Sequence, residues 1–205
     1  MNKKTKFSVY DMAIVGVMAA IIFVITYFIK LPIATPAGNT MIKLANAFCL
    51  LAGILFGGVR GGLAAGLGSM LFDLLDPIYI TSAPYTLVFF FVMAFVCGII
   101  SNLKRKEDGS LNLSFVILGS VVGALSYYVL NIGKSIIMKT VEAVGFAELF
   151  TATGGEAFQA AIAANVPKMI TSSINVVIAV VIACIFAPIL KKALTKAGLY
   201  NKISV

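Results

Sequence analysis

Polar side chains at the ends of apolar stretches are the groups in this chain best suited to bind or transform a small molecule. In 39–86, two apolar stretches meet at the sequence GGVRGG, and their far ends carry amide, ammonium and carboxylate groups: Asn39, Lys43, Asn46, Asp73 and Asp76. If the stretches form a helical hairpin in a membrane, both polar ends face the same side of the bilayer. A charged side chain within the membrane is energetically costly, so these residues indicate a functional site. The alternative for each residue is a position at the membrane–water interface.

Later segments add tyrosines, hydroxyls, amides and ammonium groups on the same predicted side. The candidate substrate-binding residues are Asn39, Lys43, Asn46, Asp73, Tyr79, Tyr85, Thr86, Tyr127, Asn131, Lys134, Asn165 and Lys168. Such a mixture suits a small polar ring compound, because amides and lysines hydrogen-bond to the ring edge and tyrosines stack on its face. The alternative for any one residue is an interfacial aromatic ring or a lysine that extends to water.

Catalytic and metal chemistry have little support in the sequence. The chain has no histidine, which excludes imidazole metal sites and a histidine base for Ser69. Asp73 and Asp76 have no further acidic cluster beside them and would supply few ligands for a metal ion. The three cysteines lie in apolar runs without paired spacing, which argues against a disulfide framework or a zinc site. No phosphate-binding loop is present. We therefore expect no catalytic residues, no metal and no cofactor bound by this chain.

The composition indicates an integral membrane protein. Hydrophobic residues make up 60% of the chain and charged residues only 12%, whereas about a quarter of an ordinary soluble domain is charged. The formal net charge is +8, but the basic-aromatic runs of a nucleic-acid binder are missing. We expect membrane lipid, and no nucleic acid, among the partners.

The apolar runs predict a single membrane domain over 1–205, an all-α protein with six transmembrane helices. The predicted spans are about 12–29, 41–57, 61–76, 84–103, 112–133 and 160–190. Two prolines and a glycine, namely Pro32, Pro36 and Gly38, predict a loop over 30–40. Glycines on both sides of Arg60 predict a turn, and the mixed composition of 140–159 predicts the longest loop.

The distribution of basic residues predicts cytoplasmic N- and C-termini. In that orientation most of the sixteen lysines and arginines lie on the inner side, as the positive-inside rule requires. The outer side holds the remainder, namely Lys30, Lys43, Lys134, Lys139 and Lys168.

The whole chain resembles the substrate-binding S component of an energy-coupling factor (ECF) vitamin transporter. The resemblance rests on the six short spans, the small residues of the first span and the block LANAFCLLAGILFGGVRGGLAAGLGSMLFDLL. It continues in the SAPYT that opens the fourth span and the NVPKMITSSIN of the sixth.

The resemblance implies a function and partners. An S component binds a small water-soluble vitamin or precursor at the outer face of a prokaryotic plasma membrane. It then docks on a membrane T component that carries two ATPases, so ATP is used by the partners. The small residues that match the family's docking motif are Ala13, Gly16 and Ala20. Uptake in the family is thought to involve toppling of the whole S component in the membrane.

Two other functions remain open at this point. A stand-alone secondary transporter would use Asp73, Asp76 or Lys134 to couple a small polar solute to an ion gradient, although no inverted repeat is visible. An intramembrane enzyme would have to act through Ser69. In the family that the chain resembles, the nickel and cobalt members use N-terminal histidines, so the lack of histidine argues against a metal ion as the substrate. The lack of tryptophan removes one common stacking residue for thiamine. A small pyridine or pyrimidine compound is favoured, followed by pantothenate, riboflavin and folate.

Overall fold

A computed structural model describes residues 8–104 and 111–198. Within these residues the chain forms six α-helices and one β-hairpin. The helices are α1 (Val9–Phe28), α2 (Ala45–Phe56), α3 (Gly58–Leu75), α4 (Ala83–Asn102), α5 (Leu113–Val144) and α6 (Ala152–Lys196). The strands β1 (Lys30–Thr35) and β2 (Gly38–Lys43) lie between α1 and α2, and a short 3-10 helix (Ile80–Ser82) precedes α4.

The helical fold class is confirmed, and four segments in the described part of the chain are long and apolar enough to cross a membrane. These are Val9–Phe28, Ile80–Asn102, Leu113–Val144 and Ala152–Lys196. Helix α2 has 12 residues and is about 18 Å long at 1.5 Å per residue, short of a hydrocarbon core of about 30 Å. The location of the termini stays a prediction. Several basic residues that support it, in 1–7, 105–110 and 199–205, lie outside the described residues.

The predicted loop over 30–40 is wrong, because most of it is a β-hairpin. Strands β1 and β2 pair antiparallel, with Pro32 opposite Met41 and Lys30 opposite Lys43. The Met41 carbonyl and the Lys43 N–H point away from β1 and form hydrogen bonds with the Asn175 side chain of α6. Pro32, opposite Met41, is therefore at a non-hydrogen-bonded pair of the ladder, where its missing N–H is not needed. The prolines exclude a helix here, and this register shows how a strand accommodates one of them.

The predicted long loop over 140–159 is also wrong, since helix occupies most of it. Helix α5 continues to Val144 and α6 begins at Ala152, where the Thr151 hydroxyl accepts a hydrogen bond from the Gly154 N–H. Helix α6 has 45 residues and is about 68 Å long, more than twice a hydrocarbon core of about 30 Å. The mixed polar and apolar composition of 140–159 therefore belongs to the end of α5 and the start of α6, and α6 is longer than a bilayer requires.

The predicted turn around Arg60 reduces to the single residue Gly57. Its φ of 82° is in the left-handed region, and α3 begins at the next residue. Arg60 therefore lies in the first turn of α3, where its Nε is 2.8 Å from an Asp11 carboxylate oxygen. This ion pair connects α1 to α3.

Helix α2 lies at the centre of the bundle, and glycines let its neighbours approach closely. Almost every α2 residue is buried, including Leu50, Leu51 and Ile54. A Cβ added at Gly61 would lie 2.5 Å from the Cα of Gly53, so the α2 and α3 backbones are in direct contact. Such contacts supply the van der Waals packing that associates helices in a membrane.

We expect Gly61→Ala to destabilise the fold by about 1–3 kcal/mol, because the added methyl group has no space and the helices must separate. Thermal unfolding of the detergent-solubilised protein measures the effect. Gly155→Ala is the matched control, since a Cβ there meets nothing within 4 Å. Equal unfolding temperatures for the two variants would contradict the role of this contact.

Candidate functional site

A cavity of about 90 Å³ lies where β2, the end of α3, the start of α4, α5 and α6 meet. All the predicted substrate-binding residues line it except Asn46 and Asn165. The lining residues are Asn39, Thr40, Met41, Lys43, Asp73, Tyr79, Ser82, Tyr85, Thr86, Phe89, Phe90, Tyr127, Asn131, Lys134, Lys168, Ser172 and Asn175. The segments that sequence analysis placed on one side of the membrane thus converge on one cavity.

Asn175 of α6 holds β2 in place at this cavity. Its side-chain oxygen accepts a hydrogen bond of 3.0 Å from the Lys43 backbone N–H. Its side-chain amide donates one of 2.8 Å to the Met41 carbonyl oxygen. Asn175 therefore pairs with the outer edge of β2 as a further strand would. Because both backbone groups are buried, each would be costly without a partner.

Lys43 and Asp73 are the buried charged residues of the cavity. Both are less than a tenth exposed. The Lys43 ammonium lies 4.4 Å from the centre of the Phe90 ring, and Asp73 accepts a hydrogen bond from the Thr86 hydroxyl. Burial lowers the pKa of Lys43 below its usual 10.5, and the opposing influence of the Asp73 carboxylate is smaller. Each group therefore needs the other as a counter-charge.

Aromatic rings and a second lysine form another part of the lining. The Tyr127 ring lies 4.5 Å from the Phe90 ring, measured between centroids. The Lys134 ammonium lies 4.3 Å from the centre of the Tyr85 ring and donates a hydrogen bond of 3.3 Å to the Ser82 hydroxyl. These rings provide flat surfaces on which a cyclic ligand can stack.

Tyr79 and Asp76 lie where α3 ends. The Tyr79 hydroxyl is 3.5 Å from the Thr40 carbonyl oxygen, and burial, with the charges of Asp76 and Asp73, raises the pKa of Tyr79 to about 12. Asp76 does not line the cavity. Burial alone would raise the pKa of Asp76, but hydrogen bonds from Lys30 at 2.8 Å and from the Ile78 N–H lower it overall. The Lys30–Asp76 pair connects β1 to α3.

Two of the predicted substrate-binding residues do not line the cavity. Asn46 and Asn165 are fully buried but do not line the cavity. The Asn165 amide donates a hydrogen bond of 2.9 Å to the Ala161 carbonyl on its own helix. Within the described residues, the side-chain oxygen of each asparagine has no hydrogen-bond partner.

Sequence analysis missed several lining residues, and helical spacing could have found some of them. The missed residues are Thr40, Met41, Ser82, Phe89, Phe90, Ser172 and Asn175. On α6, Ser172 and Asn175 follow Lys168 by four and seven residues, the spacing of one helix face. On α5, Tyr127, Asn131 and Lys134 repeat the same spacing.

Comparison with known proteins decides the family. The family model for the S component of ECF-type riboflavin transporters matches residues 6–196. The chain belongs to this family. A UPF0397 protein of Lactiplantibacillus plantarum is 37% identical over 73 residues, which are 36% of this chain and 38% of that protein. A UPF0397 protein of Exiguobacterium sp. is 30% identical over 145 residues, which are 69% of this chain and 74% of that protein.

Membership confirms the resemblance identified from the sequence. An S component is a transporter subunit and not an enzyme, so the expectation that this chain is not an enzyme is confirmed. The long apolar helices agree with a membrane-embedded protein.

The predicted docking residues of this S component lie on the exposed face of α1. Ala13, Gly16 and Ala20 are exposed, whereas Val15 and Ile22 on the opposite face pack into the core. A Cβ added at Gly16 would meet nothing within 4 Å. This face is therefore not used in packing within the described chain, and its contact with a T component stays a prediction.

We expect Asn175→Ala to destabilise the S component by about 1–3 kcal/mol, since it leaves two buried backbone groups of β2 without partners. Hydrogen–deuterium exchange should increase in 38–43, while α2 keeps its protection. Ser173→Ala is the control, because among the described residues the Ser173 hydroxyl bonds only to Met169 of its own helix. Unchanged exchange in β2 would show that Asn175 does not hold the hairpin.

Proposed function

We propose that this chain captures a small water-soluble vitamin or vitamin precursor at the outer face of a prokaryotic plasma membrane. It delivers the compound inward together with an ECF energising module, composed of a T component and two ATPases. In this proposal the chain is a multi-pass protein with both termini in the cytoplasm. It binds no cofactor, and its partner ATPases use the ATP.

The observation that carries this proposal is the convergence of polar and aromatic side chains on one cavity in an S component. The cavity lining comes from strand, helix ends and long helices that are far apart in the sequence. Hydrogen-bonding groups and ring faces occur together there, which is typical of a site that binds a small molecule. The chain has no histidine, and the charges of Lys43 and Asp73 act on each other, which favours binding over catalysis.

Mass spectrometry of small molecules released from the purified, detergent-solubilised chain tests the proposal. A tight S component should retain its vitamin through purification, so we expect one compound in an amount close to that of the protein. A protein that releases no compound and binds none of a vitamin panel would contradict the proposal. A secondary transporter would instead support uptake without any ATPase partner.

Asn131→Ala should weaken binding of the released compound by about 1–3 kcal/mol, if its amide pairs with a buried ligand group. Calorimetric titration of the purified variant measures this change. Gln159→Ala removes an amide from an exposed position of α6 that does not line the cavity, and its affinity should equal that of the unmodified chain. An unchanged affinity for Asn131→Ala would exclude Asn131 from the site.

Gly16→Leu should stop uptake of the compound in cells that produce the ECF module, because the bulky side chain blocks close approach to another helix. Binding by the purified variant should stay unchanged, since the added atoms have open space. Gly155→Leu is the matched control on α6, where the space is equally open. Equal loss of binding and uptake in Gly16→Leu would contradict a docking role for α1.

A further inference from the structure

We propose that the substrate is a compact ring compound with an acidic group that is ionised at neutral pH, and that Lys134 and Lys168 recognise this group. The inference rests on the proposed function of the cavity and adds a substrate class to it.

The first argument is the balance of charge in the cavity lining. Three lysines line the cavity, namely Lys43, Lys134 and Lys168, but Asp73 is the one carboxylate among the described lining residues. The neighbouring carboxylate of Asp76 does not line the cavity and is bound to Lys30 at 2.8 Å. The cavity therefore has more positive than negative charge.

The second argument is that Asp73 is already engaged. Its carboxylate accepts the Thr86 hydroxyl, and the charge of Lys43 acts on it more strongly than that of Lys134. Lys43 is deeply buried, so it depends most on this counter-charge. Lys134 has the Ser82 hydroxyl and the Tyr85 ring as neighbours, and the one carboxylate that acts on it, Asp73, is shared with Lys43.

The third argument is the position of Lys168. Within the described residues, no hydrogen bond or ion pair satisfies its ammonium group, and the charge that acts on it is that of Lys134. Two ammonium groups that face one cavity repel each other, and the repulsion grows where water is excluded. An anionic group bound between Lys134 and Lys168 would replace this repulsion by two attractive interactions.

The fourth argument is the size and shape of the cavity. Its volume is about 90 Å³, whereas pockets for drug-sized ligands measure about 300–1,000 Å³. The rings of Tyr85, Phe90 and Tyr127 line it and suit a single flat ring. Riboflavin is larger than a single ring, and because it is neutral it would leave both lysines without a counter-charge.

Calorimetric titration of the purified full chain with charge-matched pairs of compounds tests this inference. The pairs are single-ring compounds, namely nicotinate with nicotinamide and pyridoxal 5′-phosphate with pyridoxal. We expect an acidic member to bind at least about 10-fold more tightly than its neutral counterpart, a difference of about 1.4 kcal/mol. Lys134→Gln and Lys168→Gln should each remove most of this preference without weakening the neutral member.

Lys139→Gln is the control for a lost positive charge. Lys139 is also on α5, but it pairs with Glu142 at 3.0 Å and does not line the cavity. The preference for the acidic member should be unchanged in this variant. Loss of the preference in Lys139→Gln as well would overturn the assignment to Lys134 and Lys168.

The remaining outcomes separate this inference from the proposed function. Equal or tighter binding of the neutral members overturns the inference alone, as does a preference that survives in both lysine variants. If no pair binds, the charge of the compound released from the purified chain decides: an anion supports the inference and a neutral compound overturns it. If nothing binds and nothing is released, the proposed function fails, and this inference fails with it.

Discussion

The two hydrogen bonds between Asn175 and β2 are the contact on which the cavity depends. In a membrane protein, backbone groups without water must find partners within the protein, and a two-stranded hairpin leaves its outer edges unpaired. Asn175 supplies a donor and an acceptor at the spacing of Met41 and Lys43. Fixing that edge also fixes the direction of the Lys43 side chain, which lies against Phe90. A polar cavity can then form beside a largely apolar bundle.

The rest of the bundle gives this contact a rigid support. Direct backbone contact between α2 and α3 at Gly53 and Gly61 leaves little freedom for these helices to shift. The ion pair of Asp11 with Arg60 fastens α1 to the same helices. Helix α1 thus keeps one face in the core and one face free, with Gly16 on the free face. Binding and docking can therefore occupy separate surfaces of one rigid body.

The cavity combines stacking surfaces with an unbalanced positive charge. Phe90, Tyr85 and Tyr127 provide ring faces, while Asp73 offsets only part of the charge of the surrounding lysines. Ring faces bind many cyclic compounds, so charge and size must supply the selectivity among them. In ECF transporters the ATPase subunits provide the energy for uptake, so an S component itself needs no catalytic site.

The sequence by itself determined that this is a helical membrane protein of the S component family. Long uncharged runs have few alternatives to helices in a bilayer, and a helix puts residues such as Tyr127, Asn131 and Lys134 on one face whatever surrounds it. The tertiary structure alone decided the hairpin, the single-residue turn at Gly57 and the contact of Asn175 with β2. These features depend on pairing between distant segments and on the rotation of each helix about its axis. Local sequence sets the period of a helix, but the packing of its neighbours sets which way that face points.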